Sequence, residues 1–126
     1  MPGPAARSGR PGVGPVRSRE TFADLRRSSS RGRCGPLSVS FVGRPDWDRP
    51  QVAYAVNRKV GNAVQRNLLR RRMRAIVSER AQELPVGAYV VRSTTEGPSL
   101  DFNELKVAMS QALEHATSSG SSQVGR

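Results

Sequence analysis

The sequence predicts an α+β fold: a single-domain, two-layer sandwich with helices laid against one sheet. Two observations carry this. Period-two alternation runs through Leu37, Val39 and Phe41, with Ser38 and Ser40 opposite, and a second alternating run spans Val52 to Val56. Helical spacing instead joins Leu69, Met73 and Ile76, and later Phe102, Leu105, Met109, Ala112, Leu113 and Ala116. Taken in order the elements read α-β-β-α-β-α. A length of 126 residues has room for one ordinary domain.

Residues 1–17 are rich in Pro, Gly, Arg and Ala, with little to bury, and read as a disordered basic arm. The folded domain is expected over residues 18–117. Ser18 can cap a helix reaching about Arg27, with Glu20 in its first turn and Phe22 and Leu25 on one face. Periodicity alone makes Phe22 a core residue. Ser28 to Gly35 reads as a flexible basic loop. The strand at Leu37 and the strand at Val52 flank the turn-rich Gly43 to Pro50, so an antiparallel pair joined by that loop is the economical reading. Trp47, between Asp46 and Asp48, is expected to fold back on the sheet. A basic helix follows from about Asn62 to about Glu83, then a break at Pro85 and Gly87. Gly87 to Val91 is a nearly continuous apolar run, expected to be a central strand. Asp101 and Glu104 form an N-cap pair for the last helix, and the Phe102 stripe is read as core. His115 falls beside that stripe, at the surface. Residues 118–126 read as a disordered Ser/Gly tail.

Composition narrows the function. The formal charge is +11, with 36% hydrophobic and 5% aromatic residues, which is the footprint of a nucleic-acid binder with a modest aliphatic core. No run approaches 18 apolar residues, and no strongly apolar helix face or lipid signal stands out, so no membrane partner is expected. Cys34, the single cysteine, has no partner for a disulfide or a metal site, which fits a reducing, cytoplasmic setting. Charge is also uneven. Residues 49–80 hold nine basic side chains and one acidic, whereas residues 81–126 hold three and five. The partner must meet the first two thirds of the chain.

The densest stretch is Lys59 to Arg74, KVGNAVQRNLLRRRMR. At 100° per residue Asn67, Arg70, Arg71 and Arg74 share a helix face, while Leu69, Met73 and Ile76 share another. Between Arg58 and Arg74 there are seven Arg or Lys and no Asp or Glu. Like charges at i,i+4 cost a few tenths of a kcal/mol each, so folding gains nothing from the stripe. A polyanion laid along it would relieve the repulsion.

Val56, Arg58, Lys59, Gly61, Asn62, Ala63, Val64, Arg66 and Asn67, followed by the Arg70 to Arg74 block, resemble the signature of the bacterial ribonuclease P protein subunit. One position departs: where the family has an arginine-asparagine-arginine triplet, this chain reads Arg66-Asn67-Leu68. The resemblance implies a fold like the second domain of ribosomal protein S5, with a further short strand beside the first helix, α-β-β-(β)-α-β-α. It also implies that the basic helix joins two parallel strands by an unusual left-handed β-α-β crossover, against the usual right-handed rule.

The resemblance further implies two sites. Arg58, Lys59, Arg66, Asn67, Arg70, Arg71 and Arg74 would bind a catalytic RNA subunit. A cleft between the first helix and the sheet would hold the single-stranded 5′ leader of precursor tRNA, with Phe22, Arg26, Ser38, Ser40, Tyr54 and Asn57 as candidates. A base stacked on Phe22 would be worth about 1–3 kcal/mol. Asn67 is open to a phosphate, to hydrated Mg2+ or to its own backbone.

No Ser/His/Asp set, paired carboxylates, phosphate loop or zinc spacing stands out, so no catalytic residue is expected in the chain. In the family the RNA carries the endonucleolytic chemistry. Mg2+ is then expected in the ribonucleoprotein, with no cofactor on the protein itself, and a monomeric protein bound 1:1 to RNA. Two other readings stay open: a ribosomal-protein-like structural RNA binder, and a DNA-architectural protein with its basic helix in a major groove.

Overall fold

The computed structural model describes residues 12–124, with side chains through residue 118. The elements are β1 (Gly14–Pro15), α1 (Arg19–Arg27), β2 (Arg31–Cys34), β3 (Leu37–Gly43), β4 (Gln51–Ala55), α2 (Ala63–Glu79), β5 (Gly87–Ser93) and α3 (Phe102–Val124). Single 3-10 turns at Arg58–Val60, Ala81–Glu83 and Gly97–Ser99 lie between them. The sheet has the order β1-β4-β5-β3-β2. The predicted α+β sandwich is the architecture found.

The core follows from strand parity. Leu37, Val39, Phe41, Val52, Tyr89 and Val91 point to the face covered by α2 and α3, and join Leu69, Met73, Ile76, Val77, Leu105, Met109 and Leu113 in one buried cluster. Phe41 and Tyr89 stack with ring centroids 4.8 Å apart. On the opposite face Leu25 of α1 packs on Ala88 and Val90, with Phe22, Val42, Trp47 and Ala53 partly buried around them. Trp47 does fold back on the sheet.

β5 is central, as its apolar run requires: Ala88 and Val90 are buried on one face, Tyr89 and Val91 on the other. Its position overturns the expected pairing of β3 with β4. β3 is antiparallel to β5, β4 is parallel to β5, and β3 and β4 are separated by it. Two strand spacings are only about 10 Å, a gap that the Arg44 to Pro50 connection spans easily. The two strands joined by the basic helix are indeed parallel neighbours.

Four further expectations change. The basic loop is partly a strand: Arg31 to Cys34 pair with Leu37 to Ser40. Its inward residue is Gly32, where a Cβ would collide with the backbone of Ala112 and Ala116 in α3. The strand therefore buries backbone rather than an apolar side chain, and alternation is silent there. The end of the expected arm is also ordered. Gly14 and Pro15 pair in parallel with Gln51 and Val52 at the sheet edge, where proline is tolerated, and Val16 is buried; residues 1–11 lie outside the described residues.

In α3 Asp101 and Glu104 cap each other's backbone as predicted, at 2.8 and 3.0 Å, and His115 is exposed. Phe102, however, is 37% exposed: it occupies the first helical position, a turn before the buried stripe begins at Leu105. The helix also runs to Val124, through the stretch expected to be a tail, because no proline interrupts its backbone ladder.

Candidate nucleic-acid interface

α2 starts where the sequence sets it. Asn62 is the N-cap, its side chain accepting from the Gln65 backbone N–H at 2.8 Å while Gln65 accepts from Asn62 N–H at 3.0 Å. Gly61 leaves the room that the Gln65 side chain occupies. Leu69, Met73, Ile76 and Val77 are the buried face. The basic residues are thereby forced to the flank and the outer side.

Several of these cations are held in place by the protein. Arg66 Nε donates to the Gly61 carbonyl at 3.0 Å. Arg70 donates through Nη1 to Asn67 Oδ1 at 2.9 Å and through Nη2 to the Val56 carbonyl at 3.2 Å. Arg74 lies over the Tyr54 ring, 5.7 Å from its centroid. A guanidinium has five N–H donors, so each keeps several for a ligand while its position is already fixed. Arg58, Lys59 and Arg71 are exposed. Ion pairs among the described residues include Arg27–Asp24, Arg44–Asp24, Arg80–Glu83 and Lys106–Glu79. None involves a residue from 58 to 74, so the stripe's charge is left uncompensated by protein.

Asn67 Oδ1 accepts from the Arg70 guanidinium, which uses one of its two lone pairs. Among the described residues no group of three or more His, Cys, Asp or Glu is placed to hold a metal ion.

The second predicted site is only partly brought together. Phe22 is half-buried and Arg26 exposed on α1, and Ser38 lies half-buried on the sheet face that α1 covers. Ser40 shares that face but is buried, with 3% of its surface exposed, so it cannot meet a ligand. Tyr54 belongs to the other face: β4 pairs with β5 so that Ala53 faces α1 and Tyr54 faces α2. Its ring supports Arg74, and burial pushes its hydroxyl up to about pKa 12 against the opposing pull of Arg74. Asn57 is exposed, but its side-chain oxygen caps the Arg58–Val60 turn by accepting from Lys59 N–H at 3.0 Å.

Sequence reasoning missed the cations of this sheet face. Register aligns Arg33, Ser38, Arg92 and Ala55 in one row across four strands, beyond the part that Leu25 covers. Arg33 and Arg92 are exposed, two strand spacings or about 10 Å apart. Arg31, one pair further along, donates to the carbonyls of Ser28 and Arg26 and so closes the C-terminal end of α1. The available signal was the Arg31-Gly32-Arg33 alternation in a segment read as loop.

A basic helix with a self-held arginine flank, backed by a sheet that carries a second basic row, meets a family model described as Ribonuclease P over residues 14–117. The chain belongs to that family. It is 34% identical over 110 residues to the ribonuclease P protein component of Thermobifida fusca, covering 81% of this chain and 75% of that one. Against the component from Acidothermus cellulolyticus identity is 37% over 110 residues, covering 79% and 92%. The ribonuclease P protein of Thermotoga maritima superposes with a TM-score of 0.69 at 23% identity, over 79% of this chain and 94% of that one, a likeness of fold. The family match begins at β1, so the short N-terminal strand lies within it. It ends at residue 117, short of the last turns of α3.

Proposed function

We propose that this chain is the protein component of ribonuclease P, acting by binding RNA on two faces while an RNA subunit performs the endonucleolytic removal of the precursor tRNA 5′ leader. The observation that carries the reading is the stripe of Arg58, Lys59, Arg66, Asn67, Arg70, Arg71 and Arg74, which forms no ion pair with a carboxylate among the described residues. Folded RNA docked there would replace repulsion among the cations with attraction to phosphate.

The opposite face is the leader site in this reading. Phe22 offers a partly exposed ring, Arg26 and Ser38 border it, and Asn57 lies at the exit of β4. Arg33 and Arg92 supply phosphate contacts that a leader strand crossing the sheet would need. Ser40 and Tyr54 are left out of this set, the first by burial and the second by facing α2. Mg2+ in the working complex would be held by RNA and supply the nucleophile and leaving-group stabilisation. The protein's own residues bind, position and lower repulsion between two RNAs, as a monomer bound 1:1 to the RNA subunit in the cytoplasm.

The test is 5′-leader removal by a bacterial ribonuclease P RNA at low Mg2+, with and without this chain. Faster cleavage at the same site is expected. RNA binding without any gain in cleavage would instead support a structural RNA-binding role.

A further inference from the structure

The outward crest of α2 is not basic. Val64 is 76% exposed and Leu68 41% exposed, one turn apart at i and i+4, with exposed Ala75 two turns further on. Core packing explains neither side chain, because Leu69, Met73, Ile76 and Val77 already fill the buried face. Apolar groups so exposed, inside the most cationic segment of the chain, form a ledge with charge on both sides: Arg71 on one, Arg72 on the other.

We propose that Val64 and Leu68 are an apolar contact for RNA, taking the ribose and base surface of a nucleotide whose phosphates are held by Arg71 and the N-terminal end of α2. This rests on the reading that the stripe binds RNA, and adds a non-ionic component to it. Charge complementarity selects the occupant. The ledge begins at the positive end of the helix, whose first turn contains no acidic residue, and no Asp or Glu follows until Glu79. A second copy of this chain docking the same crest would set the cations of one helix against those of the other. RNA satisfies both requirements, since each nucleotide carries an anionic phosphate beside apolar sugar and ring surface. Leu68 stands where the resemblance places a second arginine, so this helix exchanges one phosphate contact for an apolar one.

The two kinds of contact differ in salt dependence. Only phosphate contacts release counterions, so an apolar contact changes affinity without changing the slope of log K against log salt. The full chain, Leu68→Ala and Leu68→Arg are titrated against an in vitro transcribed bacterial ribonuclease P RNA at several NaCl concentrations. Equal thermal midpoints would establish that these surface variants fold alike. Leu68→Ala is expected to bind about 5- to 10-fold more weakly at every salt, on a line parallel to the parent, as fits the removal of one or two buried methylenes. Leu68→Arg should steepen the slope by about 0.7–0.9. Leu68→Ala binding within about twofold of the parent, or on an altered slope, would overturn the proposal alone. A parent chain that does not bind the RNA at all would overturn the function proposed above, and this inference with it. A parent chain that sediments as a dimer dissociated by Leu68→Ala would assign the ledge to a second copy and also overturn it.

Discussion

Tyr54 shows how one side chain's role depends on which way its strand is paired. Alternation along Val52 to Val56 marks a strand but does not say which parity faces α1, and the parallel register with β5 decides it. The consequence is an aromatic ring under Arg74 whose hydroxyl is buried without a hydrogen-bond partner. Tyr54→Phe keeps the ring and removes the unsatisfied group, so it should raise stability by about 1 kcal/mol in urea unfolding at neutral pH. Both tyrosines are held protonated by burial: Tyr54 to about pKa 12, and Tyr89, whose hydroxyl donates to the Pro85 carbonyl, upward as well. An unfolded chain ionises near pH 10, so between about pH 10 and 12 the folded state binds more protons and stability falls as pH rises. Urea midpoints at about pH 9 and pH 11 should show this fall, and Tyr54→Phe should make it shallower. Equal falls in the two proteins would mean that Tyr54 ionises freely. The shared face of Asn67, Arg70, Arg71 and Arg74, in contrast, follows from spacing alone, because helix geometry fixes it whatever the sheet does.

At the scale of elements, those carrying their own caps and apolar stripes were readable. α1 begins at Ser18, whose hydroxyl accepts from the Glu20 and Thr21 backbone, and α2 begins at the Asn62–Gln65 box. What was not readable is held by backbone. β2 has glycine where an apolar residue would announce a strand, and β1 is two residues long at the sheet edge. The sequence neighbours β3 and β4 misled for a related reason: a loop of hairpin length also suffices to step across one strand. Gly32→Ala tests how closely β2 lies on α3. The added Cβ would meet the Ala112 carbonyl and Ala116 nitrogen, which cannot rotate away. Overpacking of this kind costs about 1–3 kcal/mol, and a drop of roughly 4–8 °C in thermal midpoint per kcal/mol is expected. A melting curve unchanged from the parent would show that the two elements separate at little cost.

At the scale of the molecule, two helices close one face of the sheet and α1 only part of the other. The first arrangement pushes the cations of α2 to its outer side; the second leaves Arg33 and Arg92 exposed beyond α1. Acidic residues gather in the C-terminal third, where Lys106 meets Glu79 and α3 completes the core. The uneven charge along the sequence thus becomes a division of labour in space, and the seven basic residues from Arg58 to Arg74 lie where no ion pair shown among the described residues engages them.

The central claim is that the stripe on α2 neutralises RNA phosphates. Its most direct test is the salt dependence of binding to a bacterial ribonuclease P RNA by the full chain and by the double variant Arg70→Ala, Arg71→Ala. The double variant is expected to bind more weakly, with a slope shallower by about 0.7–0.9 for each phosphate that it no longer neutralises. Parallel lines for the two proteins would contradict the claim, because arginines that release no counterions are not touching the RNA backbone.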